Sequence, residues 1–125
     1  MTTRNAAQLT AQLSALRELE ANVQHIHGLV EQFAAAAVRG GADVSITVPL
    51  RRAFGRLKLA FTGAGLDQLA QLAAAMEIAA GRGGSPTQRV RILREGVASM
   101  KNQIELEQRA VQRMQAEQRE QEGDG

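Results

Sequence analysis

Residues 5–38, NAAQLTAQLSALRELEANVQHIHGLVEQFAAAAV, decide the fold. Leu9, Leu16, Leu19, Val23, Ile26, Val30, Phe33 and Ala37 recur at alternating steps of three and four, with one gap at Gln12. That spacing lines up one face of an α-helix, here over about four heptads and about 50 Å of rod at roughly 1.5 Å per residue. Arg39-Gly40-Gly41 then predicts its end, because glycine tolerates the left-handed conformation that closes helices. A second rod is predicted over residues 86–121. Val90, Leu93, Val97, Met100, Ile104, Val111 and Met114 repeat the spacing, interrupted where Glu107 occupies the seam. Ser85-Pro86-Thr87-Gln88 reads as its capping box, with proline at the first helical position.

Between the rods lies a hairpin of two shorter helices. Pro49 suits the first turn of a helix over about 49–61, with Leu50, Phe54, Leu57 and Phe61 in a narrow arc and arginines flanking them. Thr62-Gly63-Ala64-Gly65 breaks it, and a third helix follows over about 66–80. Leucine and alanine surround most of that helix, which places it at the centre of the core. Residues 42–48, ADVSITV, alternate apolar and polar. That is the period of an extended segment, so they read as an extended connector that has the option of pairing with a second copy.

The expectation is one all-α domain over residues 1–125, with 1–4 and 122–125 frayed. Two long amphipathic helices flank the hairpin, forming an antiparallel four-helix head with a two-helix, coiled-coil-like stalk. Composition agrees. The chain has 125 residues, enough for one core. It holds only three aromatic residues, Phe33, Phe54 and Phe61, a palette suited to close-packed helices more than to sheets.

Charge is segregated. The net charge is only +2, but residues 48–101 carry nine basic and three acidic side chains, and residues 102–125 carry three and six. Arg51, Arg52, Arg56, Lys58, Arg82, Arg89, Arg91 and Arg94 are therefore candidates for one phosphate-binding surface. Arg51 and Arg52 in the opening turn of their helix, and Arg89, Arg91 and Arg94 near the start of the last, oppose the helix dipole. Glu117, Glu120 and Glu122 do the same at the other end of the last helix. A second copy running antiparallel would bring those ends together in a self-complementary contact.

Several chemistries are disfavoured. The chain has no cysteine, which excludes disulfides, thiolate metal sites and cysteine nucleophiles. His25 and His27 stand two apart and point about 200° apart on a helix, so they do not share an ion. The hairpin has the loop length of a helix-turn-helix, but its second helix exposes too few polar donors to read bases. Gly81-Arg82-Gly83-Gly84-Ser85 follows a helix and lacks the ending of a phosphate-cradling loop. No cofactor, metal or small-molecule substrate is expected. No apolar run reaches the roughly 18 to 20 residues of a membrane span, and cytoplasm is the default location.

The leading expectation is a non-catalytic helical interaction protein, a homodimer or a subunit that meets another helical protein. Leu9, Leu13, Leu16, Leu19, Val111 and Met114 extend past the hairpin and are its candidate interface, with Glu107 setting register. The alternative is a nucleic-acid-associated subunit that grips backbone phosphate through the central arginines.

Overall fold

The computed structural model describes residues 5–39, 44–82 and 84–123. They form four helices: α1 (Ala6–Val38), α2 (Val44–Gly63), α3 (Asp67–Gly81) and α4 (Pro86–Gly123). Each helix packs on its neighbours in the chain, and α4 closes the ring on α1, while the backbones of α1 and α3, like those of α2 and α4, stand apart across the diagonal. The long helices run antiparallel. Glu31 meets Arg94 and His27 meets Lys101, so α1 rises as α4 descends.

Ten α1 residues are buried: the seam Leu9, Leu16, Leu19, Val23, Ile26, Val30 and Phe33, with Leu13, Ala34 and Ala36 beside it. They face Val90, Leu93, Val97, Met100, Ile104 and Val111 of α4. Burying one large aliphatic side chain stabilises by about 1.5 to 3 kcal/mol, so this row is a large source of stability. Phe33, Phe54 and Phe61 are at most 1% exposed, and their rings join α1 to the hairpin.

Helix ends follow local chemistry. Asn5 forms a complete capping box with Gln8: its side chain accepts the Gln8 amide at 2.8 Å, and its own amide donates to Gln8 Oε1 at 3.1 Å. At Ser85 only one half forms, with the Gln88 amide 3.5 Å from Oγ. The α2–α3 turn is a Schellman closure. Leu66 N–H donates to the Phe61 carbonyl at 2.9 Å, Gly65 N–H donates to that of Thr62 at 3.1 Å, and Gly65 takes φ 75°, the left-handed conformation glycine allows.

Four expectations need correction. Val44–Val48 are helical, not extended, because α2 begins at Val44; residues 42 and 43 lie outside those described. A helix puts Ile46 one turn before Leu50, on the stripe that continues through Phe54, Leu57 and Phe61, and Ile46 packs against the core. Pro49 accordingly stands in the second turn, where it removes one backbone hydrogen bond. Second, α3 is not the centre of the core: its backbone lies close only to α2 and α4, and Ile78 is 57% exposed. Third, α4 continues to Gly123, two residues past its expected end at 121; residues 1–4, 124 and 125 lie outside those described. Fourth, the first hairpin helix is longer than expected, at 20 residues, while the second has the expected 15, shifted by one residue.

The helical reading of 44–48 has a stability consequence. Pro49→Ala restores the missing bond and is expected to raise unfolding free energy by about 1 to 3 kcal/mol in urea titration. A neutral or destabilising result would mean that the segment ahead of Pro49 is extended.

Candidate functional site

All four helices deliver arginine to one end of the bundle. Arg39 is the C-cap of α1 and Arg82 the C-cap of α3. Arg51 of α2 lies against Gly81, the last residue of α3, and Arg52 beside it is exposed. On α4, the Arg89 guanidinium sits 5.4 Å from the Phe33 ring centroid, Arg91 is exposed, and Arg94 meets Glu31. Val38 at 89%, Val48 at 42%, Ile78 at 57% and Ile92 at 45% exposure lie within the same few turns.

The eight basic residues expected on one surface are divided. Arg56 lies lower, beside Asn22 and His25 of α1. Lys58 pairs with Glu77 of α3 at 4.0 Å. Each residue of a helix rises about 1.5 Å and turns about 100°, so residues five and seven places beyond Arg51 face other neighbours lower down. Arg39 belongs to the cluster and was missed by the sequence reading, although its place just before Gly40-Gly41 marks it as a helix-terminal cation.

Most of the supposed conflict with helix dipoles also dissolves. Arg51 and Arg52 are the eighth and ninth residues of α2, beyond the opening turn. Arg39 and Arg82 stand at helix C-termini, where a cation is favourable. Arg89 has an aromatic face and Arg94 a carboxylate, which leaves Arg91 near the start of α4 without an ion-pair partner among the described residues.

Two grooves open between α1 and α4. The lower one, about 260 Å³, has Val30 and Val97 at its floor and two polar links across it. Arg94 donates to both Glu31 oxygens at 2.8 Å, and Lys101 Nζ lies 2.6 Å from His27 Nδ1. The Arg94 hydrogen bonds hold the Glu31 carboxyl below the usual glutamate range, against a smaller opposing effect of desolvation, and Glu31 raises Arg94 in return. The upper groove, about 420 Å³, reaches the arginine-bearing end. Ala34, Ala37 and Val90 floor it and Val38 forms a wall, while Arg91, Arg94 and Glu95 stand on the α4 rim.

The apolar stripe expected to meet a partner is closed within one chain. Leu9, Leu13, Leu16 and Leu19 are 2 to 7% exposed, and Val111 is 1% exposed. These five are covered by the pairing of α1 with α4 and are not free surface. Met114 remains 36% exposed. Glu107 is half-buried and borders the groove at the α2–α3 turn with Leu66, Asp67 and Leu106, where the hairpin ends beside α4. Leu106, which the sequence reading passed over, is 54% exposed.

Among the described residues no group of three His, Cys, Asp or Glu could hold a metal ion, and no helix is long and apolar enough to cross a membrane. Comparison of the chain with protein-family models, with curated proteins and with solved structures finds no match.

The Glu31–Arg94 pair gives a signed pH effect. A carboxyl whose pKa is lowered on folding stabilises above its unfolded value, and that contribution is lost as pH falls through the lowered folded value. Both side chains are largely exposed, at 42% and 54%, which screens the pair. Glu31→Gln is expected to lower the urea midpoint at neutral pH by much less than a core truncation such as Val97→Ala. The gap between wild type and variant should close in acid, below the ordinary carboxylate range; a gap that persists there would assign the effect to packing.

Proposed function

We propose that this chain is a non-catalytic helical interaction protein, a subunit of a larger assembly, that engages an anionic partner through the arginine-bearing end of its bundle. One observation carries the reading. Arg39, Arg51, Arg52, Arg82 and Arg91 gather there from all four helices with no ion-pair partner among the described residues. Concentrated like charge costs self-repulsion in the isolated fold and is relieved by an anion. Guanidinium forks suit carboxylate and phosphate oxygens alike, so acidic protein and nucleic-acid backbone share the chemistry that this end recognises.

Fluorescence anisotropy with labelled polyglutamate and with a labelled DNA duplex tests it. Binding is expected at low salt and should fall steeply as salt rises. The triple change Arg39→Ala, Arg52→Ala and Arg91→Ala should weaken it by about tenfold or more. Arg56→Ala with Lys58→Ala, away from that end, should leave it nearly unchanged. Absence of binding to either polyanion at low salt, or equal loss in both variants, would sink the reading.

A second reading is self-association along α4. Gly96 packs against Met76 of α3, and Gln103, Leu106 and Glu107 border the α3 start, so one flank of α4 faces α3. Ala110 and Met114 continue that flank past the start of α3. If two copies pair there, light scattering should show a concentration-dependent mass that Leu106→Gln with Met114→Gln reduces to that of one chain. A single-chain mass at every concentration excludes it.

A further inference from the structure

Resting on the reading just given, we infer that the partner segment is an acidic stretch of protein bearing an aliphatic side chain, which seats in the upper α1–α4 groove while its carboxylates meet the surrounding arginines. Four exposed aliphatic residues, Val38, Val48, Ile78 and Ile92, are interspersed with the arginines at this end. A sugar-phosphate backbone gains nothing from covering them, whereas a partner with apolar side chains does. All three phenylalanines are buried and the chain has no Trp or Tyr, so no aromatic platform exists for stacking bases.

The groove supplies the specific seat. Its volume of about 420 Å³ accommodates a leucine or isoleucine with part of the backbone that carries it. Small side chains keep it open, because Ala34, Ala37 and Val90 form the floor where longer residues would fill the space. Val38 is 89% exposed as a side wall, and it is the residue with most apolar surface to lose on docking. Charge sets the polarity of the occupant. Arg39 adjoins Val38 and Arg91 stands on the opposite rim; the Arg94 charge is answered by Glu31, and Glu95 is the rim acid among the described residues. Carboxylates placed toward Arg39, Arg91 and the arginines beyond are attracted, and a carboxylate placed over Glu95 is repelled, which favours one direction for an acidic segment.

The test uses the whole chain and two labelled peptides of equal length and equal charge, one of Glu, Ala and Leu and one of Glu and Ala alone. The leucine peptide is expected to bind about tenfold tighter. Val38→Ser, at a residue too exposed to affect folding, should reduce that preference, and Ala37→Leu, which fills the groove, should abolish it. Circular dichroism and urea midpoints check that both variants keep the fold. Arg39→Ala with Arg91→Ala should weaken both peptides by the same factor.

Equal affinity of the two peptides, or a preference that survives both groove variants, would overturn the inference while leaving anion binding intact. Tighter binding to a DNA duplex, or to vesicles containing anionic lipid, than to the leucine peptide would overturn it in favour of that surface. If neither peptide, duplex nor vesicle binds at low salt, the inference falls together with the function on which it rests.

Discussion

The contact between α1 and α4 is the constraint on which the other features depend. Two antiparallel helices of 33 and 38 residues share one apolar row from Leu9 and Val111 at one end to Phe33 and Val90 at the other. The hairpin covers only part of that row. Its 20- and 15-residue helices add Leu50, Phe54, Leu57, Phe61, Leu69 and Met76 over the half of the row nearer the α1 C-terminus. Because the long helices hold each other along their whole length, the row below the hairpin needs no second chain to cover it. That is why surface left for a partner must be sought elsewhere.

How much of this was legible in the sequence depended on how many residues voted. Spacing over about four heptads is a redundant signal, and one polar residue such as Gln12 or Glu107 did not obscure it. The glycine breaks were equally plain, since only glycine readily takes the φ of 75° found at Gly65. Short signals failed. The alternation Val44-Ser45-Ile46-Thr47-Val48 spans too few residues to separate period 2 from period 3.6, and Pro49 pulled the helix start toward itself. The deciding fact was tertiary, the position of Ile46 on the stripe of Leu50 and Phe54. Covering likewise depends on partners that a single helix does not reveal, so Leu9 and Leu13 read as surplus although α4 encloses them.

The arginine cluster was half legible for a similar reason. Counting charge along the chain located the basic middle, but levels along the bundle decide which charges meet. Antiparallel pairing superimposes the end of α1, the early part of α2, the end of α3 and the start of α4, so residues as distant in sequence as Arg39 and Arg91 share one end. The same geometry separates Arg51 from Arg56, five residues away on one helix. Pairing then thins the set further: Glu31 neutralises Arg94 and Glu77 engages Lys58, leaving a smaller group than composition suggested.

What remains at that end is an unusual combination for a fold that buries no polar or charged residue among those described. An exposed valine or isoleucine alone needs no explanation, and neither does an exposed arginine. Their concentration at one end differs, because it sets repulsion among cations beside uncovered apolar surface, and each is relieved by a different property of a ligand. An ion answers only the first and an apolar side chain only the second. A segment carrying both carboxylates and an aliphatic group answers the two together, and the groove with Ala37 in its floor and Arg91 on its rim is where the two demands lie closest.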